Sequence, residues 1–320
     1  MIKYYPAELH THTLHSDGTF TPESLARAAK AEGLSVIALT DHNTIAGIQP
    51  LSKEGQKVGI TVIHGIEWTT FYGHITVLGG DLTQKWECIT PQNIIQVVRS
   101  VRERGGLVGI AHPFRIGYPI CTGGSDEWGL EDYQGFTHYE VWSYLSPSVS
   151  YTNHLAEQRY ASLCRRGVKL AVVYGRDWHG FLEEQGAPAA TFLGIKGDME
   201  VQSALDAIAN RRTYISTGVK LDVSLRLGNK LYDIGNCLSA GEYTIKCVAE
   251  EISKEYSTKY RLKVRAIQLT GSALENDIDI NSTSYEGKLR LGLGYMQIIV
   301  WGELEDGWQK LAIATPFFVE

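Results

Sequence analysis

PAELHTHTLHSDGTFTPESLARAAKAEGLSVIALTDHN, residues 6–43, contains one full repeat of the fold: an extended entry, a histidine-rich loop, a helix and a second extended run that ends in another histidine. Pro6–Leu9 reads as a strand leading straight into the loop. Thr21 is a helix cap, with Pro22 at the first helical position and Ser24 as a weak partner three residues on. LSVIALT (34–40) is a continuous apolar run, the pattern of a strand buried on both faces.

Outward from this unit the alternation repeats. A helix is expected at 45–57, strands at ITVIHGIE (60–67) and GHITVLGG (73–80), and a helix at 91–104. The second of these strands follows closely enough for a hairpin or a directly adjacent pairing. Strands LVGIAH (107–112) and YEVWS (139–143), a helix near 153–166, strand VKLAVVYG (168–175), a helix near 198–210 and a short strand RTYIS follow. About seven βα units without a Gly-rich phosphate fingerprint predict an α/β fold with a mainly parallel sheet, as an irregular barrel. From Gly218 the texture changes to alternating segments such as LDVSLRL, EYTIKCVA and MQIIVWGEL, which predict an antiparallel, β-sandwich-like domain. The expected division is 1–217 as a metal-binding catalytic barrel and 218–320 as a β-rich accessory domain. Residues 113–151, with Tyr118, Trp128, Tyr133, Tyr139, Trp142, Tyr144 and Tyr151, read either as a lid or as a packed irregular cover over the barrel end.

Composition excludes several classes. Hydrophobic residues at 43% and charged residues at 21% fit a globular domain. A net charge of −6 and no Lys/Arg-rich tract give no footprint for a stable nucleic-acid complex. Phosphate esters stay open, because bound divalent cations would reverse the local field. No h-region and no run of 18 apolar residues occurs, so neither a signal peptide nor a membrane span is expected. Five unpaired-looking cysteines (Cys88, Cys121, Cys164, Cys237, Cys247) suggest buried thiols in a reduced, cytoplasmic protein. No GxSxG, P-loop or reactive-cysteine arrangement is present.

The chemistry lies in residues that ligate metals. His10, His12 and Asp17 follow the first strand, His42 the second and Glu67 the third. His74 lies near the start of the next strand, His112 at a strand end, and Asp177 and His179 just after another. Nearly all fall at carboxyl ends of successive strands, where a parallel barrel gathers its site. Six imidazoles and three carboxylates there would repel and desolvate one another without cations. His10-x-His12 and Asp177-x-His179 each put two side chains on one face. Nine ligands exceed what one tetrahedral ion uses.

In order, ELHTHTLHSDG, ALTDHN, GIEWTT with GHITVLG, GIAHPF and GRDWH resemble the motifs of the polymerase and histidinol phosphatase (PHP) superfamily, over residues 7 to about 217. GIEWTT…GHITVLG, with RRTYISTG leading into a β-rich tail, is most similar to the carbaryl-hydrolase-like branch. The resemblance implies a distorted seven-stranded (β/α) barrel and a trinuclear site of two to three divalent ions, zinc, manganese or iron. It assigns His10, His12, Glu67 and Asp177 to the first metal, with Glu67 bridging to a second held by His74 and His112. Asp17, His42 and His179 would take the third, with His15 as an alternative to Asp17.

His64, His138 and His154 match no motif and read as structural or surface residues. Asp41 would orient an imidazole or cap a helix, and Glu140 reads as buried and paired or behind a ligand. Arg115 and Arg176 are candidates to grip an anion, or else structural salt bridges. The expected activity is phosphoester hydrolysis by a metal-bound hydroxide, with Glu67, Asp177, His179, Arg115 and Arg176 as catalytic residues and His179 or a metal-bound water as general acid. A carbamate, ester or amide hydrolase using the same site is the second reading, and a non-catalytic, metal-stabilised partner-binding module the third. The expected partner is a small phosphate ester or carbamate; homo-oligomerisation is left open.

Overall fold

The computed structural model describes residues 2–115, 128–181, 186, 188–251, 260–268, 274–280, 284–304 and 307–320, with backbone alone for 251, 260–268, 274–280 and 304. Tyr118 and Cys121 lie outside this set. The first part of the chain runs β1 (Ile2–Thr11), α1 (Pro22–Ala31), β2 (Val36–Leu39), α2 (Ile48–Val58), β3 (Thr61–Thr70), β4 (Gly73–Leu78), α3 (Ile94–Glu103), β5 (Leu107–Ile110), β6 (His138–Ser143), α4 (Tyr151–Arg165), β7 (Ala171–Gly175), β8 (Ala190–Lys196), α5 (Val201–Ala209) and β9 (Thr213–Ser216). The tail adds β10 (Val219–Leu227), β11 (Lys230–Asp233), β12 (Cys237–Leu238), β13 (Gly241–Glu251), β14 (Tyr260–Gln268), β15 (Leu274–Ile280), β16 (Ser284–Leu291), β17 (Gly294–Leu304), β18 (Gly307–Ala314) and β19 (Phe317–Val319).

The first helix forms for the reasons its sequence states. Thr21 is extended and its side-chain oxygen accepts from Ser24 N, and Pro22 occupies the first turn. Gly33 ends it at φ 75°, a left-handed conformation that glycine adopts without Cβ strain. Leu25, Ala26 and Ala29 pack with Leu51 of α2 onto Ile37, Leu39 and Val62 of the sheet beneath.

Strands β1 to β7 lie side by side in chain order within one mixed α/β sheet. The β1–β2, β2–β3, β5–β6 and β6–β7 pairs are parallel, whereas β4 is antiparallel to both β3 and β5. Thr11 bridges Trp178, so the chain leaving β7 returns beside β1. One strand escaped the sequence reading: β8 runs antiparallel to β1, pairing Ile2 with Lys196 through Ala7 with Thr191. That partner extends β1 back to Ile2, four residues before the expected start.

The tail is antiparallel except for the parallel β12–β19 pair. One four-stranded sheet, β11-β10-β13-β16, packs Leu221, Leu225 and Ile245 against Met296, Ile298 and Val300 of β17. The remaining tail strands belong to the main sheet, because β18 pairs with β9 (Ile313 with Ile215). The hydrogen-bonded ladder therefore crosses residue 217. Val172 N also donates to Thr315 Oγ1, and Ile215 shares an apolar cluster with Tyr295, Ile299, Ile313 and Phe318.

Trp128, Tyr133, Tyr139 and Trp142 are buried in that same cluster, while Tyr151 is exposed. The described aromatics of 113–151 are thus mostly core, the second of the two readings. The expectation of buried thiols holds for Cys164 and Cys247 but not for Cys88 and Cys237, which are exposed. Among the described residues no helix is long and apolar enough to cross a membrane.

Candidate metal centre

Period-two alternation builds the floor of the site. Glu8, His10 and His12 share one face of β1 and its extension, and all three are buried. Glu67 projects from β3, fully buried, and meets five imidazoles. Its carboxylate oxygens lie 3.1 Å from His10 Nε2, 3.5 Å from His12 Nε2, 2.9 Å from His42 Nδ1, 2.7 Å from His74 Nδ1 and 3.0 Å from His112 Nε2. His74 reaches it because β4 folds back antiparallel, with Thr69 opposite His74. Asp177 Oδ1 is 3.4 Å from His10 Nε2, 3.0 Å from His12 Nε2 and 3.5 Å from His179 Nδ1. Asp17 Oδ1 closes the outer edge, 3.1 Å from His179 Nε2 and 3.5 Å from His42 Nε2.

All nine residues singled out in the sequence therefore converge. They form three overlapping sets that could each hold a cation: His12, Asp17, His42 and His179; His10, Glu67, His112 and Asp177; and His42, Glu67 and His74. His12 joins the outer set, and His15, which is exposed, belongs to none. The geometry thus prefers Asp17 over His15.

The donor atoms fit a cation better than they fit one another. His10 Nε2, both ring nitrogens of His12, Glu67 Oε2 and Asp177 Oδ1 are buried without a hydrogen bond, although several lie 3.0–3.5 Å apart. Within each of the three sets the donor atoms all lie within 4.8 Å of one another, close enough to share one ion. Buried polar atoms left without a hydrogen bond cost free energy, and a bound ion removes that cost. Without cations, protons must do the balancing. Burial alone would push His42 down, but the carboxylates of Asp17 and Glu67 outweigh it and raise its pKa to about 10. Burial likewise works against ionisation of Glu67, yet His10 and His74 hold it well below the usual carboxylate range. His12, with desolvation dominant, is pushed down to about 4, so its imidazole stays neutral and available as a ligand.

Behind the donors, neighbours fix the ring orientation. His10 Nδ1 is 2.7 Å from Glu140 Oε1, whose Oε2 accepts from His112 N at 2.7 Å. This leaves His10 Nε2 bare, the carboxylate–histidine arrangement common behind metals. His42 Nδ1 meets Thr69 Oγ1, and His179 Nδ1 donates to the Asp177 carbonyl at 2.8 Å. His112 and Asp177 both hold left-handed backbone, φ 23° and 56°, a conformation that non-glycine residues adopt at a cost.

Several expectations need correcting. Arg176 does not enter the cluster: its guanidinium bonds Glu32 at 2.8 and 3.0 Å and stacks over Trp178, so it joins the end of α1 to the sheet. Arg115 does reach the site, bonding Asp177 Oδ2 at 2.6 Å while lying over the Tyr144 ring. Asp41 neither orients His42 nor caps a helix; it accepts from Thr13 N, Thr13 Oγ1 and Ser16 Oγ, bracing the loop that carries Asp17. Glu140 is buried and paired, as expected. His138 is buried between the hydroxyls of Thr76 and Thr137, and His64 and His154 are exposed. The sequence reading missed Glu8, whose Oε1 accepts from His10 N and Arg176 N, and Thr69. Glu8 was detectable, since it precedes His10 by the same two-residue step that links His10 to His12.

Residues 8–161 match the PHP domain family. A 5'-3' exoribonuclease of Haemophilus influenzae is 41% identical over 87 residues, which is 26% of this chain and 31% of that relative. The chain thus spans about a third of the exoribonuclease it matches. An uncharacterized protein of Methanocaldococcus jannaschii is 32% identical over 128 residues, covering 36% of this chain and 70% of the relative. Among solved structures, a two-domain Bacteroides vulgatus protein, described as containing a predicted PHP-like metal-dependent phosphoesterase, covers 98% of this chain and 95% of its own. Its TM-score is 0.53 at 15% identity, a likeness of fold that runs through the β-rich tail. With the ordered ligand motifs, these matches make the chain a member of the PHP domain superfamily.

Proposed function

We propose that this chain is a metal-dependent phosphoesterase that hydrolyses a small phosphomonoester or phosphodiester at a site of two to three divalent cations. It is a hydrolase whose residues 1–217 supply the site, with 218–320 as an accessory part. The carrying observation is the group of bare, buried donor atoms around Glu67 and Asp177. The nine ligands would divide as the motif order implies, Glu67 between two ions and Asp17, His42 and His179 around a third. The Thr11–Trp178 bridge supports a closed, seven-stranded arrangement for β1–β7. Placement in the carbaryl-hydrolase-like branch rests on the GIEWTT and GHITVLG motifs together with RRTYISTG leading into the β-rich tail.

Bound divalent cations would acidify coordinated water and polarise phosphoryl oxygens. The chain does the rest. Glu140 and the Asp177 carbonyl engage Nδ1 of His10 and of His179 and turn each Nε2 toward the cluster, which suits His179 to ligation over general-acid work. Arg115 anchors on Asp177 and, being one-third exposed, has guanidinium N–H groups free to meet an anionic substrate oxygen. Burial of Glu67 and His10 keeps bulk water from screening these charges.

The name of the Haemophilus relative supports phosphorus over a carbonyl carbon as the centre attacked, and admits an RNA end as a transient substrate. No residue of the cluster favours carbamates, and nine intact donors argue against a non-catalytic module. The test is reconstitution of purified protein with Mn²⁺ or Zn²⁺, elemental analysis, and turnover on phosphomonoesters, phosphodiesters and carbamates. Two to three ions per chain with phosphoester turnover is expected. One ion or fewer, or a metal-loaded protein inert to every phosphoester, would overturn the reading.

A further inference from the structure

Large apolar side chains exposed to solvent are not scattered evenly over this molecule. Among the described residues, six of ten stand on segments that follow strands at the end of the sheet where the metal ligands gather. Leu14 follows β1, Ile45 follows β2, Phe71 forms the β3–β4 turn, Val149 and Tyr151 follow β6, and Phe181 follows β7. Phe71 and Phe181 are 73% and 74% exposed, each held at its base by an edge-on aromatic contact, with Tyr72 and Phe20 respectively. Phe181 lies two residues past His179, and Phe71 three before His74. The apolar side chains thus stand at the same end of the sheet as a floor of imidazole, carboxylate and guanidinium groups.

Exposed apolar surface concentrated at one place marks something that covers it, and ligand sites pair an apolar wall with a few convergent polar groups. A leaving group with an apolar body would gain most from such a border. We infer that the substrate is amphipathic: its phosphoryl group sits on the floor beside Arg115, and its leaving group carries an extended apolar body that lies against Phe71, Phe181 and the exposed aliphatic residues at the same end of the sheet. This inference rests on the phosphoesterase reading for the identity of the head group only.

An alkyl series isolates the apolar contribution, because methyl, butyl, hexyl and octyl alcohols leave with nearly the same pKa. A fully buried methylene changes affinity about fourfold, so a border that leaves one side wet should give about twofold per methylene. The measurements are kcat/KM on n-alkyl phosphates and Kd by calorimetry for the non-hydrolysable n-alkyl phosphonates, both with Mn²⁺-loaded full-length protein. We expect both to improve about twofold per methylene from butyl to octyl, through KM and not kcat. F71A and F181A should flatten the series. A flat series in the wild type, or a slope untouched by both substitutions, overturns the inference. A flat series combined with Phe-dependent sedimentation on phosphatidylcholine vesicles also overturns it, in favour of a lipid-docking face. If the phosphonates bind with the expected slope but no phosphate is hydrolysed, the apolar border stands and the phosphoesterase reading fails.

Discussion

Glu67 is the hub on which the site depends, and replacing it with glutamine keeps its volume while removing one charge. Its two oxygens face five ring nitrogens within 2.7–3.5 Å, and it belongs to two of the three candidate cation sets. A unit charge at about 4 Å in an effective dielectric of about 20 contributes about 4 kcal/mol of attraction. With the amide oxygen recovering about half, each of the two sets should lose about 2 kcal/mol, roughly thirtyfold in metal affinity. His42 also belongs to two sets, but it presents Nε2 to Asp17 while its Nδ1 is engaged by Thr69 Oγ1, so His42→Ala should weaken mainly the outer set. Calorimetric titration with Mn²⁺, with elemental analysis of the dialysed proteins, gives the counts. Glu67→Gln should lose two ions at concentrations where His42→Ala loses one, and should abolish turnover. Equal loss of a single ion in both variants would refute the bridging role and the division of ligands among sites. The convergence of the nine residues would be unaffected.

The two arginines should separate cleanly. Arg115→Ala should cut kcat/KM about a hundredfold with metal content intact, whereas Arg176→Ala should leave kcat/KM within about twofold and lower stability by about 1 kcal/mol through loss of the pair with Glu32, whose carboxylate is exposed; loss of activity without loss of stability at Arg176 would contradict its placement. A Cβ on Gly109 would stand 2.1 Å from the His138 ring, so Gly109→Ala should cost about 2 kcal/mol in denaturant unfolding from overpacking. His138 itself has its pKa pushed down by burial to about 3. A depressed histidine is neutral when folded, so its contribution is complete above about pH 6.5 and is lost as pH falls towards 3, on the order of 3–5 kcal/mol; His138→Asn should flatten the unfolding free energy across that window. Removing 218–320 strips β18 from β9 and bares Ile215, so the 1–217 fragment should melt lower or aggregate; full thermal stability would show that the ladder across residue 217 is dispensable.

The metal ligands were legible because each motif is local. A strand's two-residue period decides that His10 and His12 point the same way, and no distant contact is needed to see it. Arg176 was not legible for the converse reason. Its neighbour Asp177 takes left-handed backbone, which breaks the alternation, and its partner Glu32 is distant in sequence at the end of α1. The strand β8 was hidden because its pairing with Ile2–Ala7 depends on chain closure across the whole first part. The change of texture at Gly218 was visible, but not that β18 would return to β9, since alternation shows which face of a strand is buried and not which strand it joins.

The β3–β4 hairpin has a consequence for how this site can change over generations. Glu67 and His74 arrive on one two-residue turn, with Thr69 opposite His74 and Thr70 opposite Gly73. A single inserted or deleted codon between them would shift the pairing by one and send His74 to the opposite face. The seven-residue interval is therefore heritable as a block: point substitutions at Phe71 or Tyr72 can explore new substrates, while length variation there is closed to any descendant that keeps both ligands. Adaptation of this mouth should proceed by exchanging side chains on a hairpin of constant length.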